Sequence, residues 1–391
     1  MERDGTAWTA IGAETGFHSW EGTVTLRARR IISVLAAAAV MMICSVTAAH
    51  ATDSTTPSLI TNGDTTDIAV EGPYNELILY WAFDGNGTWH SETVAGPGTT
   101  YSAPSMILNG NTIAISAMGP YNDLVFYWAT VGTGSTGSWT TETASGVYTD
   151  YSPPSMILNG STIDISFMGP GNTLWFDWAA IGSGTWNSEY VTSQAAAYSA
   201  PSMIADGSTI AISVTGPRDT VWLYWAAIGA GGSGAWNSEV VAGAYSTDSA
   251  PSMILNGGII DISFMGQGNS LLLYSAPADI GTGTWSSGYV TSQAAAYSAP
   301  SMLRNGSGVD IGVQGPDDSL DIYWGPDGSS TWTPGTVAGD GTTYSQPALV
   351  VSGNGVDITA AGPNGSLYDY WAENGTNDWS FAGVALPGSV A

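Results

Sequence analysis

The chain has 391 residues, no lysine and a formal net charge of −27. Such a surface repels phosphate backbones and anionic lipid heads, which argues against nucleic acid or a membrane surface as partner. Its 17 tryptophans and 18 tyrosines separate it from disordered acidic chains, and its single cysteine excludes both a disulfide scaffold and a cysteine-ligated zinc site.

In chain order, the first readable element is a targeting segment. Arg27, Arg29 and Arg30 precede an apolar run from Ile31 to Val46, and Ala49-His50-Ala51 fits a small-x-small cleavage site. The pattern predicts a secretory signal peptide within residues 1–51, with residues 1–23 as an upstream extension. The run is short for a bilayer span and nothing basic follows it, which disfavours a retained anchor. Cys44 follows Ile43, whereas a lipidated cysteine wants a small residue there. Beyond this segment the chain keeps two arginines, Arg218 and Arg304, one histidine, His90, and no cysteine.

Residues 52–391 are built from internal repeats. Counted from the proline of the recurring phrase Ser-Ala-Pro-Ser-Met, units begin at Pro57, Pro104, Pro154, Pro201, Pro251, Pro300 and Pro347, spaced 47 to 50 residues apart. Six residues after each proline stands a glycine (Gly63, Gly110, Gly160, Gly207, Gly257, Gly306, Gly353). Fifteen after stands another (Gly72, Gly119, Gly169, Gly216, Gly266, Gly315, Gly362). Both read as turn punctuation. In the third unit the intervals leave four short segments, 155–158, 162–168, 173–178 and 185–191. The second alternates Ile163, Ile165 and Phe167 with Asp164 and Ser166. Each segment is β-branched or aromatic and bounded by Gly, Asn or Pro, so each is predicted to be a strand. Four strands per unit and seven units predict an all-β, seven-bladed β-propeller over residues 52–391. Units two and three resemble four and five, and the string from Tyr190 to Met203 recurs from Tyr289 to Met302. A two-unit duplication accounts for both.

Two tryptophan series mark the units. At offset 24 stand Trp81, Trp128, Trp178, Trp225, Trp324 and Trp371, with Ser275 in the fifth unit. A second series is Trp89, Trp139, Trp186, Trp236, Trp285, Trp332 and Trp379. The combination of Ile-Asp-Ile-Ser-Phe-Met-Gly, Asn-x-Leu, an aromatic-Trp pair and Gly-Thr-Trp resembles the repeat of seven-bladed β-propeller lectins. The closer likeness is to the bacterial fucose-recognising group, the more distant to the fungal propeller lectins. The resemblance spans all seven units. It implies glycan binding at several shallow sites between blades, with aromatic rings facing the sugar. The polar residues repeat around the ring, whereas catalysis needs an asymmetric constellation, so a non-enzymatic protein is expected. The chain departs from the family in having almost no arginine or histidine after the signal segment.

The residues themselves allow more than one role. An indole plane packs well on the C–H face of a sugar, which makes the offset-24 tryptophans candidate ligand-binding residues; they could equally pack between blades. The second tryptophans are expected on the outer strand, as blade packing. Asp67, Asp164, Asp261, Asp310 and Asp357 share offset 10, where Ala114 and Ala211 stand in the other two early units. They are expected to be hydrogen-bonded strand residues rather than a cation site, and no cofactor or metal is expected. Asp327-Gly328-Ser329-Ser330-Thr331-Trp332 is near a sialidase turn in composition but not in spacing, and two arginines cannot form the cluster a sialidase needs. His90 has no catalytic company and is expected in a solvated turn. The expected function is a secreted, extracellular, multivalent binder of neutral glycans or glycoconjugates. A propeller-fold glycoside hydrolase or lyase, or a non-catalytic adhesion module, are the competing readings.

Overall fold

The computed structural model describes residues 56–391, apart from 64, 84–86, 133–134, 137, 229–233, 279–283 and 329. The predicted signal segment lies outside the described residues. Within them the chain forms seven antiparallel sheets, each made from one repeat: 58–95, 105–145, 155–192, 202–242, 252–291, 301–338 and 348–385. In every sheet the strands lie in chain order from innermost to outermost. The second sheet carries an added two-residue hairpin arm, Ser135–Thr136. In the third blade the strands are Ser155–Asn159, Thr162–Gly169, Thr173–Ala180 and Asn187–Thr192. The innermost strands neighbour one another around the whole ring, the first beside the last included. The fold is a seven-bladed β-propeller with four antiparallel strands per blade.

The repeated residues have separable jobs. The offset-6 glycines all sit at φ between 57° and 65°, in the tight turn from the innermost to the second strand, where a Cβ would be strained. The offset-15 glycines open the turn from the second to the third strand, as read in the sequence: Asn75 N–H donates to Gly72 O and Asn122 N–H to Gly119 O, at 3.0 and 3.2 Å; they are also required for space. A Cβ on Gly169 would lie 2.2 Å from the Trp175 indole, and one on Gly216 2.2 Å from that of Trp222. Glycine is required there because the side chain at offset 21 folds back over the backbone.

The phrase Ser-Ala-Pro-Ser-Met is a set of stitches. Its first serine accepts the backbone N–H at the end of the second strand, as in Met168 N to Ser152 Oγ at 3.0 Å. Its second serine accepts a backbone N–H from the next blade. Met106 donates to Ser58, Met156 to Ser105, Met203 to Ser155, Met253 to Ser202 and Met302 to Ser252, all at 3.0 to 3.1 Å. The methionine side chains are buried between blades.

Seven apolar clusters hold the described ring together, one at each blade interface. Ile163, Ile165 and Phe167 pack on Ala114, Leu124 and Phe126 of the second blade. Leu174, Phe176 and Trp178 pack on Ile210, Ile212 and Val214 of the fourth. The alternation seen in the sequence is therefore not an inside and a solvent face. Asp164 and Ser166 are fully buried too, because a blade is covered on both sides. At the seam between the seventh and first blades, Ala348 stands in place of the stitching serine. The seam is closed by Thr66 Oγ1 donating to Asp357 at 3.1 Å, by Ala391 N donating to Glu71 O at 3.1 Å, and by apolar packing of Leu59, Ile68 and Val70 on Leu367, Val384 and Val390.

Candidate functional site: the interblade grooves

Each offset-24 position lies near the end of the third strand, facing the next blade. Each second tryptophan immediately precedes the outermost strand instead of lying on it, and its indole reaches back to the preceding blade. Trp186 meets Phe126 edge-on at 5.0 Å between ring centres, and Trp236 meets Phe176 at 5.4 Å. The two tryptophan series thus meet across one groove per interface, at the end of the ring that carries the offset-6 turns.

A glutamate that the sequence reading overlooked sorts these grooves into two kinds. It occupies the third position of the outermost strand in the first four blades, as Glu92, Glu142, Glu189 and Glu239. Each accepts the indole N–H of the next blade's second tryptophan: Trp139 to Glu92 at 2.6 Å, Trp186 to Glu142 at 3.1 Å, Trp236 to Glu189 at 2.8 Å and Trp285 to Glu239 at 3.0 Å. Glu142 also accepts the N–H of Trp128 at 3.0 Å. In the last three blades the cross-strand register places Gly288, Gly335 and Ala382 at this position.

Those three interfaces hold open cavities. The groove between blades five and six has about 450 Å³ and is lined by Leu273, Ser275, Gly288, Tyr289 and Trp332. Between six and seven it has about 570 Å³, with Trp324, Trp379, Asn305, Asp310, Glu373 and Asn374. Between seven and one it has about 230 Å³, with Trp89, Trp371, Asp357, Asp369 and Glu373. A carboxylate at Gly288 or Ala382 would stand at the edge of this space, whereas a Cβ at Gly335 would already meet the Trp324 ring at 2.6 Å. In the two grooves that adjoin blade seven, aromatic planes beside carboxylates and amides form a lining suited to an uncharged polyhydroxylated ligand, which offers C–H faces and hydroxyl donors; the groove between blades five and six offers aromatic rings and serine hydroxyls.

The offset-24 tryptophans divide accordingly. Trp324 and Trp371 line open grooves. Trp128 is tied to Glu142, Trp178 is buried against Phe176, Trp225 packs into the interface of blades four and five, and Trp81 stacks on His90 at 5.6 Å. His90 is exposed, as expected, but opens an outer strand instead of sitting in a turn. Ser275, the exception in the series, donates to Asp261 and faces the groove between blades five and six.

The offset-10 aspartates are buried and bonded. Asp164 accepts from Asn159 at 2.8 Å and Thr162 at 3.1 Å, Asp310 from Asn305 at 2.8 Å, and Asp261 from Asn256 at 3.1 Å. Burial raises the carboxyls of Asp164 and Asp310 above the usual range, against the lowering effect of these amide donors. Among the described residues no group of three or more His, Cys, Asp or Glu side chains is placed to hold a metal ion.

The fold and this groove geometry define a seven-bladed propeller with interblade pockets, and solved structures share the architecture. The chain is similar to the BP39L lectin from Burkholderia pseudomallei, with a TM-score of 0.72 at 15% identity over 87% of this chain and all of that one. It is also similar to the SapL1 lectin, solved in complex with alpha methyl fucoside, with a TM-score of 0.51 at 12% identity over 87% of this chain and 98% of that one. A puromycin-hydrolysing peptidase from Mycobacterium tuberculosis has a TM-score of 0.53 at 11% identity; the match covers 89% of this chain but 56% of the peptidase. No protein-family model and no curated protein matches the sequence. At these identities the likeness establishes the fold.

Proposed function

We propose that this protein is a secreted, non-enzymatic, multivalent lectin that binds neutral glycans in its interblade grooves. The observation that carries the reading is the set of three contiguous open grooves, each lined by at least one tryptophan, at the interfaces without the bridging glutamate. A sugar entering a bridged interface must break a charge-assisted indole hydrogen bond, whereas one entering an open groove breaks none. Trp324 and Trp371 would supply stacking planes there, together with Trp332, Trp379 and Trp89. The remaining offset-24 tryptophans, Trp81, Trp128, Trp178 and Trp225, would serve only if their interfaces open. The lectin neighbours, one of them holding a fucoside, support sugar as the ligand class. The charge of −27 disfavours sialylated and sulfated glycans. Each site is weak, since one stacked ring contributes about 1 kcal/mol, and avidity does the rest.

The test is a glycan array followed by titration of the best ligand against the parent and the variant Gly288→Glu. A Cβ at Gly288 meets nothing within 4 Å, so the substitution is tolerated and its carboxylate closes the groove beside Trp332. We expect recovery of intact glycan, and one site fewer in the variant with unchanged folding. Unchanged stoichiometry would place binding elsewhere. Cleavage of the glycan would favour a hydrolase, and no response to any glycan would leave an adhesion module.

A further inference from the structure

The end of the ring opposite the grooves carries a second repeated feature that the lectin reading leaves unused. Three residues before the unit proline stand Tyr101, Tyr151, Tyr198, Tyr297 and Tyr344, with Asp248 at the same place in a sixth unit. All six are held alike. Each backbone N–H donates, at 2.7 to 2.8 Å, to a carbonyl at the end of the following blade's second strand, as Tyr101 does to Met118 and Asp248 to Met265. The five tyrosines are between 38% and 46% exposed. Each lies four residues before an innermost strand, in the segment that crosses from one blade to the next, so they recur around one end of the ring. Tyr74, Tyr121, Tyr148 and Tyr245, more exposed still, extend this surface outward on the same end.

The charge at this end has one sign. The turns from second to third strand carry Glu76, Asp123, Asp219, Asp317 and Asp318, and the interblade loops add Asp248 and Asp340. Arg218 is the one basic residue at this end among the described residues. A face combining rigid phenol rings with carboxylates suits a cation. Guanidinium groups lie over aromatic faces, and carboxylates pair with the same groups from the side. A second copy of this chain, or any polyanion, is repelled by the same charges.

We propose that this tyrosine–carboxylate face docks an arginine- or lysine-rich segment of another protein. It is a second surface, independent of the grooves, so the molecule can hold a glycan at one end and a basic protein at the other. The periodic placement lets successive cationic side chains engage successive blades.

The test uses the full protein and an immobilised arginine-rich peptide, with a glutamate-rich peptide and a neutral polysaccharide as comparison ligands. The key variants are Tyr101→Ser/Tyr198→Ser/Tyr297→Ser and the corresponding triple Tyr→Phe, neither of which changes net charge. We expect binding of the arginine-rich peptide that weakens with salt, falls about tenfold in the serine triple and persists in the phenylalanine triple. Glycan binding in the grooves should be the same in all three proteins, which separates this surface from that reading. Melting curves verify folding, and single serine variants replace the triple should it melt early. Absence of peptide binding, equal binding by the serine triple, or capture of the neutral polysaccharide through these tyrosines would each overturn the proposal.

Discussion

Asp177 breaks a pattern in which every other blade has tyrosine: Tyr80, Tyr127, Tyr224, Tyr274, Tyr323 and Tyr370 occupy offset 23. It is fully buried, and desolvation pushes its carboxyl from 3.8 to about 7, although the hydroxyls of Ser188 and Ser145 lower it. The equally buried Asp150 is raised well above its ordinary value by burial, with Asp177 adding to the effect. Folded Asp177 holds its proton more tightly than the unfolded chain does. Stability is therefore fully kept below about pH 4 and falls as pH rises through about 7, above which the folded carboxyl is ionised and the penalty levels off at roughly 4 kcal/mol. Glu71, raised to about 7 by burial, acts with the same sign. Urea unfolding as a function of pH should show this fall, and Asp177→Asn should flatten it partly while leaving the contribution of Glu71. An identical pH slope in the variant would mean that Asp177 does not titrate in this window.

At the scale of strands and blades, the serine stitches are the contacts most open to test. Met203 N–H lies within an interface and donates to Ser155 Oγ at 3.1 Å. Ser155→Ala leaves that donor without an acceptor, at an expected cost of about 1–3 kcal/mol, measurable as a lower melting temperature. Ser58→Ala should cost a similar amount, because Met106 depends on it in the same way. The bridging glutamates can be tested likewise. Glu239→Ala removes the acceptor of the Trp285 N–H. It should destabilise by about 1–3 kcal/mol and unbridge the groove between blades four and five, read as one additional glycan site in titration.

For the whole molecule the dominant electrostatic fact is unpaired negative charge. Among the described residues Arg304 and Asp327 form an ion pair at 4.0 Å, and few other cations are present to offset the acids. Self-repulsion falls as the Debye length shrinks from about 30 Å at low salt to about 8 Å at physiological ionic strength. The melting temperature should rise across that range. A fall would show that local ion pairs outweigh the global field.

How much was legible in advance follows from the range of the contacts. The repeat, its glycines and the strand segments were readable because each unit builds its own sheet from about 47 consecutive residues, so turns and strands are dictated locally. The segment 185–191 starts two residues ahead of the observed strand, Asn187–Thr192, because Trp186 looks like a strand residue but spends its side chain on the neighbouring blade. The tryptophans were visible as a series, yet nothing local distinguishes Trp324, which lines a cavity, from Trp178, which is buried. The deciding residue is a glutamate, glycine or alanine on the outer strand, and its partner is the tryptophan of the next blade, 44 to 47 residues away. That residue series could have been found as a Glu-to-Gly change between early and late units, but its meaning depends on register across an interface. By itself the sequence determined the number, order and strand content of the blades, since hydrophobic period and turn chemistry act within a unit. Only the tertiary structure decided which grooves stand open and which face gathers the tyrosines, because those properties arise where two separate units meet.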